Sequence, residues 1–296
     1  MQKFFERFLI ENGDKSSPKI VKKKLEEKSG LSLSFSSDDE LIELYQKYLN
    51  NSKVTEDLFC LDLNESNKIV PSNKRIDAID HAFYRFATKC YDERLNIIFK
   101  GGCLLRHILR SYNLFNIRGT EDIDLDVLED TYLELDTNYR EYINLRKLTE
   151  HMMCNATLYD GDIECDIHVV PKFHSDSVAI YTCSYGKFIG ANIIHILCDK
   201  ISAISTDAVR WRAKDIIDLY VIITTKIHSE VDYILFKQFL GLRSVGDFSH
   251  YFNRENDLET RINEMGFDAN RYLRVCDIYL KGLIDNKHKW TGSNWL

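Results

Sequence analysis

An α+β fold with an α/β-like core is what this sequence predicts: a mixed sheet with flanking helices, followed by a helical C-terminal region. Three observations predict it. Between residues 76 and 187, helical and strand patterns alternate. Inside that stretch Asp160-Gly161 separates two strand patterns, the signature of a hairpin turn. From Ala191 onward the apolar residues recur at helical spacing instead. The expected organisation is an N-terminal helical extension at 1–75, a sheet core at 76–187 and a helical domain at 188–296.

The elements follow in order. Residues 19–28 and 39–49 carry short helical patterns, the second with Leu41, Leu44, Tyr45 and Tyr48 on one face. Residues 64–74, with Pro71 among asparagines and serines, form the linker candidate. Residues 76–91 read as an amphipathic helix presenting Ile79, Phe83, Phe86 and Ala87. A short buried strand at 96–100 is halted by Gly101-Gly102, and a helix is expected at 104–112. Residues 123–128 alternate strictly, as a strand does. Residues 138–154 read as a long helix, 157–159 and 162–170 as the hairpin strands, and 177–184 as a third strand. Helices at 193–203, 208–226, 233–240 and 270–283 complete the chain.

Composition narrows the class. The 296 residues are 44% hydrophobic and 29% charged, which fits a folded core and excludes a disordered chain. The net charge of −7 supplies no global positive field, so a nucleic-acid partner needs a local basic patch. Arg210, Trp211, Arg212 and Lys214, and the scattered Arg261, Arg271, Arg274, Lys281, Lys287 and Lys289, are the places to look. Eight cysteines include no C-x-x-C pair, which argues against a zinc ribbon or a thioredoxin motif. Lying in runs such as Ile196-Leu197-Cys198, they read as small buried hydrophobes of a reducing cytosol. No signal-peptide core is present, and no uncharged apolar run approaches the roughly 20 residues of a membrane span. A cytoplasmic protein without a membrane partner is expected.

The chemistry concentrates in Arg118-Gly119-Thr120-Glu121-Asp122-Ile123-Asp124-Leu125-Asp126. Strand side chains alternate between faces, so Asp122, Asp124 and Asp126 share one face while Ile123, Leu125 and Val127 fill the other. A carboxylate row repels itself unless it is solvated or a cation sits among its oxygens. Taken alone it reads equally as a wet strand edge or a metal site. Upstream, Gly101-Gly102 at a strand-to-helix turn lets backbone approach a ligand and leaves free N–H groups at a helix N-terminus, where phosphate binds. Downstream, Asp166 sits mid-strand, where Asp is disfavoured. If its strand neighbours that of Asp122, the three acids converge as in a two-metal centre for displacement at phosphorus. Glu164 and His168 alternate with the same apolar residues and read as solvent-facing or supporting groups. In the helical half, Arg212, Lys214, Asp215 and Asp218 share helix faces, which by itself reads as a salt-bridged surface. Lys200, one helix earlier, offers a point charge.

As a set these residues resemble the nucleotidyltransferase family of AbiEii/AbiGii toxins, within the DNA polymerase β-like superfamily. Lys100-Gly101-Gly102 and Leu105-Arg106 match the family's opening. Arg118, Thr120, Asp122 and Asp124 match its second element, Asp166 its later strand acid, Lys200 its helix lysine, and Arg212, Lys214, Asp215 and Asp218 its last element. The resemblance covers residues 76–226. It implies a polymerase β-like mixed sheet and a transferase moving an NMP from an NTP with Mg2+, or Mn2+, as cofactor. It further implies a bacterial toxin that modifies RNA, tRNA-like ends among them, or another macromolecule, with a cognate antitoxin protein as partner. On that mapping Asp122, Asp124 and Asp166 are metal ligands and catalytic acids. Lys100, Gly101, Gly102, Arg106, Arg118, Thr120, Lys200 and Arg212 bind the nucleotide. Lys200 and Asp215 join the catalytic set, Asp215 by positioning nucleotide or acceptor. Two departures stand out: Gly102 replaces a serine common in the wider superfamily, and Asp126 is an extra acid without a role. A small-molecule nucleotidyltransferase of the aminoglycoside-modifying kind, and a catalytically silent nucleotide-binding protein, share the same signature.

Overall fold

The computed structural model describes residues 58–60, 63, 65–69, 78–114, 118–149, 152–170, 173, 177–206, 212–242, 245–254, 256–287 and 289–296. The helical patterns expected at 19–28 and 39–49 lie outside the described residues.

An eight-stranded mixed sheet organises residues 55–196. Its strands are β1 (Glu65–Ile69), β2 (Ile97–Lys100), β3 (Asp122–Leu128), β4 (Ile143–Leu145), β5 (Met153–Leu158), β6 (Ile163–Val170), β7 (Val178–Cys183) and β8 (Gly186–Ala191). They lie in the order β1-β7-β8-β2-β3-β6-β5-β4. The β1–β7, β8–β2 and β3–β6 pairs are parallel and the others antiparallel. Helices α1 (Ala78–Asp92), α2 (Gly101–Ser111) and α3 (Glu129–Asn138) accompany the sheet. With the helices that follow, this is the α+β class expected.

Alternation places the core. Ile123, Leu125 and Val127 of β3 and Cys165, Ile167 and Val169 of β6 are buried on one side. Phe83 and Tyr84 of α1 meet Phe99 of β2 and Phe188 of β8 through ring contacts, and His107 of α2 packs on Tyr84, Tyr181 and Phe188. Leu104 of α2 lies so near the sheet that a methyl group on Gly190 would meet its Cδ atoms at 3.0 Å. A side chain at 190 would wedge helix from strand. Beneath this layer Asp80 of α1, 1% exposed, takes the guanidinium groups of Arg106 at 2.8 Å and Arg110 at 2.5 Å.

Four sequence expectations change. The long helix at 138–154 is absent: the helix is α3, ending at Asn138, and β4 and β5 follow. The apolar spacing of Tyr139, Ile143 and Met153 imitates a helix, but pairing Ile143 with Leu158 and Leu145 with Ala156 buries Ile143, Cys154, Ala156 and Leu158 together. Glu129 and Asp130 favour the earlier helix by sitting at its positive end. The linker candidate contains β1, whose polar sequence is held by backbone pairing to β7 and by Lys187 on Glu65 at 2.8 Å. β8 precedes the C-terminal helices; Gly186 and Gly190 mask its strand pattern. Finally, Gly101-Gly102 forms the first turn of α2 and is no separate turn ahead of it.

A second compact unit contains residues 197–296. It holds most of α4 (Ile193–Ile204), then α5 (Ala213–Thr224), α6 (Tyr233–Leu242), the short α7 (Ser249–Phe252), α8 (Asn256–Glu264) and α9 (Ala269–Ile284). Its core joins Ile216, Leu219, Ile222 and Ile223 of α5 to Ile262 of α8 and Cys276, Tyr279 and Leu280 of α9. Trp295 lies on α9 where Gly282 leaves room, since a methyl group there would stand 2.0 Å from its Nε1. The described cysteines 90, 103, 154, 165, 183, 198 and 276 are free and buried, as small hydrophobes are. No helix among the described residues is long and apolar enough to cross a membrane.

Candidate active site

Two strand pairings assemble the acidic face. β3 runs parallel to β6 with Asp122 opposite Glu164, Asp124 opposite Asp166 and Asp126 opposite His168. β2 runs antiparallel to β3 with Lys100 opposite Asp124. Adjacent strands lie roughly 4.8 Å apart, so the condition set by the sequence is met: the third acid is on the neighbouring strand, level with Asp124. Asp122, Asp124 and Asp166 are half-buried, within reach of solvent.

The diglycine forms the floor. Gly101 has φ +67°, and a methyl group on it would lie 1.7 Å from Asp124 Oδ2. Glycine is therefore required twice over, by conformation and by the carboxylate above it. A methyl group on Gly102 would lie 2.5 Å from Thr120 Oγ1. The Thr120 hydroxyl donates to Asp122 Oδ1 at 3.1 Å, and Cys103 Sγ to the Asp122 carbonyl at 3.4 Å. Arg118 is buried and donates to the Gly119 carbonyl at 2.8 Å. The first turn of α2 thus lies directly under Asp124 and Thr120, with the positive end of the helix there.

Electrostatics separates the acids. Burial and the neighbouring Asp122 charge raise the Asp166 carboxyl above its ordinary value, although Asn155 Nδ2 donates to Asp166 Oδ1 at 2.7 Å. Asp126, 6% exposed, behaves in the opposite sense. Burial pushes it up, but Lys100, which forms an ion pair with it, and His168 Nδ1 at 3.4 Å outweigh this and hold it below the usual carboxylate range. Asp126 is thereby the internal counter-ion of Lys100. Asn155 and this use of Asp126 were not legible in sequence, because each depends on cross-strand register; His168, expected as a solvent-facing or supporting group, lies beside Asp126.

Among the described residues no three His, Cys, Asp or Glu side chains form a ready-made cage for a metal ion. Mg2+ does not need one: it is commonly held by one or two carboxylates, waters and substrate phosphates. Half-buried Asp122 and Asp124, with a third acid whose ionisation Asp122 opposes, suit a cation that arrives with a polyphosphate.

The other expected residues are placed as follows. Arg106 is buried with its guanidinium on Asp80. In the helical unit, Lys200 Nζ stands 2.8 Å from Asp215 Oδ1 and 2.9 Å from Asp218 Oδ2, and Arg212 reaches Asp215 at 3.7 Å. These four residues form one charged cluster between α4 and α5. Arg210 and Trp211 lie outside the described residues.

The fold and site define an α+β protein with a carboxylate-bearing parallel strand pair over a helix-opening diglycine. No family model matches the chain, and no curated protein matches it. Among solved structures, that of an antigenic nucleotidyltransferase-like protein from Paracoccidioides brasiliensis superposes with a TM-score of 0.37 at 16% identity, covering 64% of this chain and 87% of its own. An overlap that slight carries no functional weight.

Proposed function

We propose that the chain is a Mg2+-dependent nucleotidyltransferase that moves an NMP from an NTP to an acceptor, Mn2+ being able to use the same ligands. The observation that supports it best is the pairing of Asp124 with Asp166, with Asp122 beside them and Gly101-Gly102 beneath. The metal, held by Asp122, Asp124 and Asp166, would neutralise phosphate charge and orient the triphosphate. The N–H groups opening α2, with Lys100, Arg118 and Thr120, take phosphate oxygens. An acceptor hydroxyl attacks the α-phosphorus. The new P–O bond forms as the bond to pyrophosphate breaks, and the hydroxyl proton passes to Asp166 when that carboxylate is not itself ligating the metal, or otherwise to solvent.

The resemblance adds Lys200 and Arg212 as nucleotide contacts and Asp215 as a positioning group; Arg106, which it also implied, is instead buried on Asp80 and tied to the core. It also supports a toxin role on RNA with a cognate antitoxin. The test is incubation of purified protein with each labelled NTP, Mg2+ and total bacterial RNA. Labelled RNA is the expected result. Label on an aminoglycoside alone would establish the small-molecule reading. NTP binding with Mg2+ in calorimetry without transfer of label to any acceptor would establish a silent nucleotide-binding protein, and failure to bind any NTP would overturn both readings.

A further inference from the structure

The helical unit contains an open groove of about 940 Å3 between α7, α8 and α9, lined in part by Phe252, Arg271, Arg274 and Lys281. Its charges are unevenly committed. Asp277 is held by Arg254 at 3.0 Å and by the Tyr251 hydroxyl at 2.8 Å. Asp268 caps α9 by accepting from the Arg271 backbone N–H. Arg271, Arg274 and Lys281 are exposed, and among the described residues no carboxylate pairs with any of them. Over the whole lining Arg254, Arg271, Arg274 and Lys281 stand against Glu259, Asp268 and Asp277, four cations to three acids, a net charge of +1. In a chain of net charge −7 this is a local reversal of sign.

The cations are also arranged in a line. Arg271, Arg274 and Lys281 fall on one side of α9 and span ten residues, about 15 Å at helical rise. Even at the roughly 3.4 Å per phosphate of a strand in a stacked duplex that length meets no more than about four phosphates, and fewer for an extended strand. Lys281 Nζ lies 5.4 Å from the centre of the Phe252 ring, which puts an aromatic face beside the positive row. Cations along a backbone path with an adjoining ring are what a single-stranded nucleic acid uses, through phosphate contact and base stacking. An acidic protein surface would use the charges but has no need of the ring.

We propose that this groove binds the sugar–phosphate backbone of a single-stranded nucleic acid, the acceptor strand if the nucleotidyl-transfer reading holds. The proposal rests on that reading only for the word acceptor. Its test is therefore equilibrium binding without NTP or metal, so that absence of label transfer and absence of strand binding are separate results. Fluorescence anisotropy of the 296-residue chain would use a labelled single-stranded RNA of about 12 nucleotides, DNA of the same sequence, and poly-glutamate of equal charge as competitor. Binding of either strand is expected, weakening with salt. The variant Arg271→Ala/Arg274→Ala/Lys281→Ala should bind at least ten-fold more weakly. Its log–log salt slope should be shallower by about 2, from roughly 0.7 for each of three lost contacts. Phe252→Ala should weaken binding about ten-fold. If the triple variant melts early, Arg274→Gln alone should still reduce affinity several-fold. Binding of neither strand, unchanged affinity in folded variants, or displacement by poly-glutamate at equal charge concentration would overturn the proposal.

Discussion

Asp124 and Asp166 are directly opposed across the parallel β3–β6 ladder, with Asp122 two residues from Asp124 on the same side. Like charges at strand spacing cost stability unless a cation or proton joins them; the Asp166 carboxyl is raised first by burial and then by the Asp122 charge. Replacing Asp122 and Asp124 together by Asn should abolish transfer while leaving Tm equal or higher. Mg2+ with nucleotide should raise the Tm of the native protein and not of the variant. A variant with full activity would remove both residues from the metal site.

Gly101→Ala tests the floor beneath them. The added methyl group would overlap Asp124 Oδ2 at 1.7 Å, in a backbone conformation with φ +67° that alanine resists. A loss of about 1–3 kcal/mol is expected from strain, together with a large loss of metal-dependent NTP binding as Asp124 is displaced. Calorimetry of both quantities checks it, and native NTP affinity in the variant would show that Asp124 needs no such floor.

These two positions also show what sequence could reveal. Alternation in β3 and the chemistry of Asp122, Asp124 and Gly101-Gly102 are local, and local rules placed them. Level alignment of Asp166 with Asp124 is a register, which the sequence stated only as a condition. The helix expected at 138–154 failed for a related reason: Ile143 and Cys154 gain more from sheet pairing than helical spacing suggests. Arg106 matched a motif, yet its guanidinium lies on Asp80, a partner 26 residues away that no short pattern contains.

Lys100 and Asp126 separate stability from binding. Lys100→Met strands a carboxylate that is 6% exposed and should cost about 3–5 kcal/mol in urea unfolding. Lys100→Met/Asp126→Asn removes both charges and should recover most of that loss. NTP affinity should stay weak in the double variant if Lys100 contacts phosphate. Full recovery of NTP affinity would limit Lys100 to its ion pair.

Acid should unfold the protein partly through its histidines. Burial lowers His228 from 6.5 to about 4, where its ring nitrogen meets the Tyr279 hydroxyl at 3.1 Å. Burial likewise lowers His107 to about 3. A buried neutral histidine favours folding fully above the unfolded value and loses that contribution as pH falls toward the folded one. Between pH 6.5 and 4, His228 should account for about 3 kcal/mol of lost stability. Urea midpoints measured at pH 7, 5.5 and 4 should fall less steeply in His228→Phe; an identical slope would show that His228 is not buried neutral.

Lys200 poses the sharpest choice, because its ammonium is shared by Asp215 and by Asp218, whose side chain is 4% exposed. Lys200→Met leaves two carboxylates three residues apart on α5 and should cost about 3–5 kcal/mol. Lys200→Met/Asp215→Asn/Asp218→Asn removes that repulsion and should restore most of the stability. If Lys200 also contacts triphosphate, KM for NTP should be raised in both variants when measured well below their Tm. Restored stability with native KM and kcat would make the lysine a counter-ion of the helical unit and nothing more.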